Sequence, residues 1–236
     1  MTPPASTAAL LLLADGRLPT GGHAHSGGVE EAIADGRVAS VDDLRSYLAG
    51  RLATTGLTDA ALAGFGAGLG AAPRAWAALD SEAAARCPAP ALRRAGRSQG
   101  RGLLRVARLL WPAPALATVA SVHDDGPLWP VAVGAAAGAA GIGGTGAALV
   151  AAQASVNGPA WAAVRLLGLD PFAVALLLAD LAPAVGLVVA RAVDAGLAGI
   201  GPDGRDAPAA LPAPGGPLCD IAAEHHARRE VRLFAS

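Results

Sequence analysis

From Gly126 to Val164 the chain carries no charged residue and no histidine. Such a stretch must lie in a folded core or in a membrane, because a water-exposed helix normally carries a polar face. A membrane span needs about 20 predominantly apolar residues. Residues 131–152 contain six glycines, ten alanines and only five larger aliphatic residues, which supply about −1.5 to −3 kcal/mol of insertion free energy. We therefore expect a buried helix hairpin, and a small integral membrane protein such as a permease subunit is the alternative.

The composition narrows the fold class. Over 236 residues, hydrophobic residues make up 53%, charged residues 16% and aromatic residues only 3%. The core must therefore be built from Ala, Leu and Val, and Ala and Leu are strong helix formers. We predict an all-α protein with one globular, bundle-like domain of roughly eight to ten helices and a flexible C-terminal tail.

Composition also divides the chain into three parts. Residues 1–198 form the predicted helical domain. Residues 199–217 are rich in Gly and Pro with few side chains that could pack, which is typical of a linker. Residues 218–236, the C-terminal tail, regain charge and end in an apolar pair, Leu233 and Phe234, with no evident core to join. We expect this tail to become ordered on binding a partner.

Local signals place several helix boundaries. Ser40 and Asp43 have the spacing of a capping box at the start of a long helix. This helix should break at Gly56 or within residues 64–70, and Pro73 should open the next one. A strongly amphipathic helix follows Pro90.

One face of that amphipathic helix carries a stripe of arginines: Arg94, Arg97, Arg101, Arg105 and Arg108. The plain interpretation is a solvated helix face, and the alternative is a docking surface for an acidic partner. Nucleic acid is the weakest option, because the 18 basic residues are balanced by 19 acidic ones and the stripe has no interleaved aromatics.

Other signals exclude several kinds of site. All basic residues are arginine, so the chain lacks the lysine of a phosphate-binding loop. Cys87 and Cys219 are far apart in sequence and form no metal-binding or disulfide pattern. The apolar run near the N-terminus has no basic residue before it, so a secretory signal is disfavoured and a cytoplasmic location is expected.

The segment from Leu18 to Glu31 contains most of the remaining candidates for metal-binding or catalytic side chains. His23 and His25 could bind a metal, with His225 and His226 as further ligands, but a lone pair of histidines does not define a site. Glu30 and Glu31 are adjacent on a helix and point about 100° apart, so they are poorly placed to act on one atom. Ser26 has no nucleophile-elbow pattern. We predict no catalytic residue, no cofactor and no resident metal, and interpret the segment as a docking surface.

Motifs along nearly the whole chain resemble the UreF family of urease accessory proteins. The first follows Leu10–Leu13 and comprises Pro19, Gly21, Gly22, Ser26, Gly28 and Glu30. The others are Arg97–Gly100 with Leu103 and Leu104, His123–Pro130 with Gly134, Ala163–Leu166, and the ending Arg232–Ser236.

The resemblance implies an all-α homodimer without chemistry of its own. It implies binding to the accessory protein UreD (UreH in some organisms) and recruitment of the GTPase UreG, so that nickel is inserted into apo-urease. On this basis the first motif belongs to the partner-binding surface. Arg232, Leu233, Phe234 and Ser236 are then the tail residues that the UreD partner orders.

The sequence departs from the family pattern at His23 and His25, which stand where the family has aromatic residues. The exchange removes an aromatic anchor and leaves a hypothesis that the two histidines touch nickel in transit. Unchanged nickel content of urease with a His23→Ala/His25→Ala variant would contradict that hypothesis.

Overall fold

The uncharged run forms two helices at the centre of the protein. The structure, a computed structural model, describes residues 4–198 and 208–235. Its α-helical segments are α1 (Pro4–Ala14), α2 (Val29–Ala34), α3 (Val41–Arg51), α4 (Leu57–Gly66), α5 (Pro73–Ala85), α6 (Pro90–Leu110), α7 (Pro114–Ala120), α8 (Trp129–Ala139), α9 (Gly143–Leu167), α10 (Pro171–Ala198) and α11 (Pro217–Ala227). The described residues contain no β-strand, so the predicted all-α class is confirmed.

Helices α3 and α4 form one continuous rod. A π-turn over Leu52–Gly56 joins them, and the rod ends at Gly66. Of the two alternatives for the break, Gly56 or residues 64–70, the second is confirmed. Gly56 is needed for packing instead, because a Cβ there would lie 2.7 Å from the hydroxyl oxygen of Ser155 on α9. Counted as rods, the described part of the chain has ten helices, within the predicted range.

The core is formed where α4, α8, α9 and α10 pack together. Glycines permit the close approach of these helices. A Cβ at Gly134 of α8 would lie 2.7 Å from the carbonyl oxygen of Ala63, and one at Gly144 of α9 would lie 2.9 Å from that of Gly64. Residues 131–137 are all buried. The uncharged run is thus the core hairpin that the sequence predicted.

Helix α10 has one buried and one exposed apolar face. Leu177 and Val174 are buried, while Phe172, Leu176 and Leu187 are between 69% and 79% exposed. By length and composition α10 is the one described helix that could cross a membrane, and only a third of its most apolar window is buried. Its other face packs against α4 and α9, so it is a core helix with an uncovered surface.

The described part of the predicted linker is packed against the domain. Residues 201–207, like 199 and 200, lie outside the described residues, but Pro208–Ala210 form a short 3-10 helix and Leu211 is buried. The guanidinium of Arg86 donates to the carbonyl oxygens of Pro208, Ala209, Leu211 and Pro212 at 2.9–3.2 Å. Composition could not show this, because the packing uses backbone carbonyls rather than side chains.

Candidate functional site

The glycine-rich loop, residues 18–28, is shaped by backbone conformations that only glycine adopts easily. Gly21 and Gly28 have φ angles of 82° and 87°, in the left-handed region where a Cβ is disfavoured. Between them Gly22–Ala24 form one turn of 3-10 helix. The loop lies on α6 because Gly102 leaves room for it: a Cβ there would lie 2.4 Å from the carbonyl oxygen of Thr20.

Ser26 is a structural residue of this loop. It is fully buried, and its hydroxyl oxygen accepts hydrogen bonds from the backbone N–H groups of Gly28 and Glu30 at 3.2 and 3.4 Å. The Tyr47 hydroxyl donates to the carbonyl oxygen of Gly27 at 2.9 Å. These bonds fix the start of α2 and hence the direction of the Glu30 side chain.

Glu30 binds the end of its own chain. Its carboxylate accepts hydrogen bonds from the backbone N–H groups of Leu233 (2.8 Å) and Phe234 (3.1 Å). Nε2 of His226 lies 2.8 Å from the same carboxylate. Burial alone would raise the pKa of Glu30, but the bonds from Leu233, His226 and Phe234 outweigh it and hold the pKa below its usual value. Glu30 is therefore a carboxylate at neutral pH, held among donors.

Three further contacts attach the tail to the fold. Nε of Arg229 lies 2.6 Å from the buried carboxylate of Glu31. Phe234 is buried in the core cluster, and its ring centroid lies 4.6 Å from the guanidinium carbon of Arg165. The backbone N–H of Ala235 donates to the carbonyl oxygen of Ala24 at 2.7 Å. The expectation that the apolar pair has no core to join was wrong for Phe234, whereas Leu233 is exposed.

The two histidines of the loop differ in environment. His23 is exposed and His25 is half-buried. Burial lowers the pKa of His25, and the neighbouring His23 lowers it further. Among the described residues no group of three or more His, Cys, Asp or Glu side chains is arranged to hold a metal ion. His226, which the sequence offered as a further ligand, is engaged by Glu30 instead.

The arginine stripe is not one uniform face. Arg97 is buried and pairs with Asp80 at 3.0 Å, and it also donates to the carbonyl oxygen of Gly126 at 2.6 Å. A fully solvated stripe was therefore wrong at this position, because α5 and the loop before α8 cover it. Arg94 and Arg105 are exposed.

The structure thus brings together most of the residues singled out in the sequence. The glycine-rich loop, Glu30 and the tail residues Leu233 and Phe234 lie together, with Leu233 exposed and Phe234 buried, and Ser236 lies outside the described residues. Sequence reasoning missed Arg229 and Arg165 as tail contacts. The signal for Arg229 was the clustered charge of the tail, which pairs with the buried Glu31. Arg165 lies on α9, outside the tail, and no sequence signal linked it to Phe234.

The fold and this site define a class of protein, an all-α scaffold protein. Its adjacent glutamates, Glu30 and Glu31, hold the C-terminal tail against the domain, so that the tail forms part of its surface. Comparisons with known proteins agree. Residues 38–182, more than half of the chain, match the family model described as UreF. The urease accessory protein UreF of Mycobacterium sp. (strain JLS) is 43% identical over 232 residues, covering 96% of this chain and 97% of the relative. That of Mycolicibacterium vanbaalenii is 41% identical (98% and 99% covered), and that of Mycobacterium tuberculosis 39% (98% and 99% covered).

The chain belongs to the UreF family of urease accessory proteins. It is a non-catalytic protein that takes part in urease maturation. Proteins of this family are soluble, so the alternative of an integral membrane protein is wrong.

Proposed function

We propose that the chain is an adaptor that binds UreD (UreH) through its tail and glycine-rich loop, recruits the GTPase UreG and so promotes nickel insertion into apo-urease in the cytoplasm. The observation that carries this proposal is the surface at Glu30. Its carboxylate holds the backbone of Leu233 and Phe234, while the Leu233 side chain is 77% exposed. A backbone fixed at this point with its apolar side chain turned to solvent is suited to bind a protein.

The apolar face of α10 supports a homodimer within the same proposal. Phe172, Leu176 and Leu187 are exposed on one helix, and exposed apolar patches of this kind mark protein interfaces. A second copy of the chain offers the same face, as a two-fold interface requires.

Co-expression with UreD and UreG tests the adaptor role. Deleting Glu230–Ser236 should abolish co-purification with UreD and leave the dimer intact. Because that deletion also removes the buried Phe234, the sharper variant is Leu233→Glu, which alters only the exposed side chain. Leu109→Glu, at an 81% exposed position on α6, is the matched control and should bind normally. Co-purification of Leu233→Glu at the wild-type level would contradict the proposal.

Nickel contact at His23 and His25 is a separate hypothesis. The lowered pKa of His25 keeps its imidazole neutral at pH 7, which is the form that binds metals. Reduced nickel content of urease matured with the His23→Ala/His25→Ala variant, together with nickel binding by the isolated wild-type chain, would support it. Unchanged nickel content would overturn it.

A further inference from the structure

A cavity of about 430 Å³ opens between the glycine-rich loop, α6 and α11, beside the docked tail. This volume falls within the roughly 300–1,000 Å³ of ligand-binding pockets in general. Glu30, Glu31 and Phe234 do not line it, whereas Ala24, His226 and Ala235, which take part in holding the tail, form part of its wall.

The cavity is lined by one sign of charge. Its charged lining residues are Arg94 of α6 and Arg232 of the tail, and among the described residues no Asp or Glu lines it. His25 and His226 add imidazole rings to the lining. Ser98 and Gln99 add hydrogen-bonding groups. The rest of the lining is small and mostly apolar: Thr20, Gly21, Ala24, Ala91, Ala95, Ala223, Ala227 and Ala235.

Its two arginines are not neutralised by the rest of the described chain. Arg94 and Arg232 are exposed, and neither forms an ion pair with a described residue, whereas Arg97, one turn along α6, is paired with Asp80. A guanidinium presents a fork of donors that matches a carboxylate. Small apolar walls together with two exposed cationic groups fit a side chain whose apolar stem ends in a negative charge.

We propose that this cavity receives an acidic side chain of the protein partner that binds the tail, with Arg94 and Arg232 contacting its carboxylate. The inference rests on the proposed adaptor function and names the chemistry of its partner. It also divides the arginine stripe: Arg94 is a docking residue, Arg97 is structural, and Arg105 lies outside the cavity.

Charge reversal on α6 tests the proposal. The partner to be assayed is purified UreD, or UreG if that is the protein whose binding requires the tail. Arg94→Glu should weaken its binding by about tenfold or more, because like charges would face each other. The matched control is Arg105→Glu, which changes net charge equally on the same helix and should stay within about threefold of wild type. The loss should be larger at low salt than at high salt. Equal effects of the two variants would overturn the proposal.

Two measurements on the isolated chain separate other occupants. The melting temperature of Arg94→Glu should equal that of wild type, and a clear fall would show that Arg94 has a partner within its own chain, against the proposal. Inorganic phosphate and free glutamate should give no saturable rise in the wild-type melting temperature. A rise that Arg94→Gln abolishes would show a site for small anions and overturn the docking proposal.

The outcomes also distinguish the two proposals. If Leu233→Glu loses the partner and Arg94→Glu binds normally, the adaptor function holds and the acidic-side-chain site is wrong. If the wild-type chain binds neither UreD nor UreG, the adaptor function fails, and this inference fails with it.

Discussion

Glu30 shows how one side chain sets the shape of a surface. Its carboxylate accepts two backbone N–H groups from residues about 200 positions later in the chain and lies beside His226. Hydrogen bonds to a charged group contribute about 1.5–3 kcal/mol each, more than neutral ones. The position of the tail therefore depends on the charge of this carboxylate and not only on the burial of Phe234.

Replacing Glu30 with Gln tests that dependence. The amide keeps the size of the side chain but brings an N–H group against the N–H groups of the tail, so we expect residues 228–235 to lose about 1–3 kcal/mol of local stability. Hydrogen–deuterium exchange of this segment should accelerate by at least about tenfold, with little change in α8 and α9. Asp35→Asn, at the exposed end of α2, is the control. Unchanged exchange in Glu30→Gln would show that Phe234 alone holds the tail.

Asp59 on α4 makes the stability of the fold depend on pH. Burial raises its pKa to about 6, partly opposed by the nearby Arg51. A raised carboxyl pKa means that the folded protein retains a proton that the unfolded chain releases near pH 4, so stability is lost as the pH rises through 6. Asp59→Asn, which cannot ionise, should be more stable than wild type at pH 8 by about 1–3 kcal/mol and similar to it at pH 4. Denaturant unfolding at both pH values measures this. An equal difference at both would contradict the raised pKa.

At the scale of elements, the sequence predicts the helices better than the connections between them. The capping box of Ser40 and Asp43 is present as expected, and Pro73 and Pro90 open α5 and α6. These signals are local, because a cap or a proline acts within one turn.

The elements that the sequence left open or misjudged depend on contacts between distant residues. The rod of α3 and α4 continues through Gly56 because α9 packs there. The tail is ordered because α2 offers Glu30 and Glu31 to it. No sequence periodicity relates residues so far apart. The motifs of the loop and of the tail could therefore be identified from the sequence, but the contacts between them could not be predicted.

Arg86, the C-cap residue of α5, connects the segment before α11 to the domain. Its side chain is 7% exposed and donates to four carbonyl oxygens of residues 208–212. Arg86→Met keeps the stem and leaves those carbonyls without their donor. We expect limited proteolysis between residues 208 and 216 to become at least about tenfold faster. Arg74→Met, at an exposed position of α5, should be cleaved like wild type. Equal cleavage of the two variants would show that Leu211 alone anchors the segment.

At the scale of the whole molecule, the chain presents an apolar face on α10 and a second surface at the tail, where the apolar Leu233 is exposed beside Arg232. The first is suited to self-association and the second to a different partner. The proposed adaptor would need both surfaces at once, because it would bind its partner while remaining a dimer.

Substitutions on α10 test the first surface. Leu176→Glu and Leu187→Glu place charges on the exposed apolar face and should convert the proposed dimer into a monomer, since a buried unpaired charge costs several kcal/mol. Light scattering coupled to size-exclusion chromatography measures the mass directly. Leu109→Glu should remain dimeric. A dimer in all three variants would place the interface elsewhere on the molecule.

The nickel content of urease tests the central claim, that this chain promotes metal insertion through its tail surface. Urease is purified from cells that co-express it with UreD and UreG. The cells also express the wild-type chain, the Leu233→Glu variant or neither. Nickel per urease is measured by mass spectrometry. We expect full nickel content with the wild-type chain, and content near background both without it and with Leu233→Glu. Urease that is fully loaded in the absence of the chain, or with Leu233→Glu, would contradict this claim.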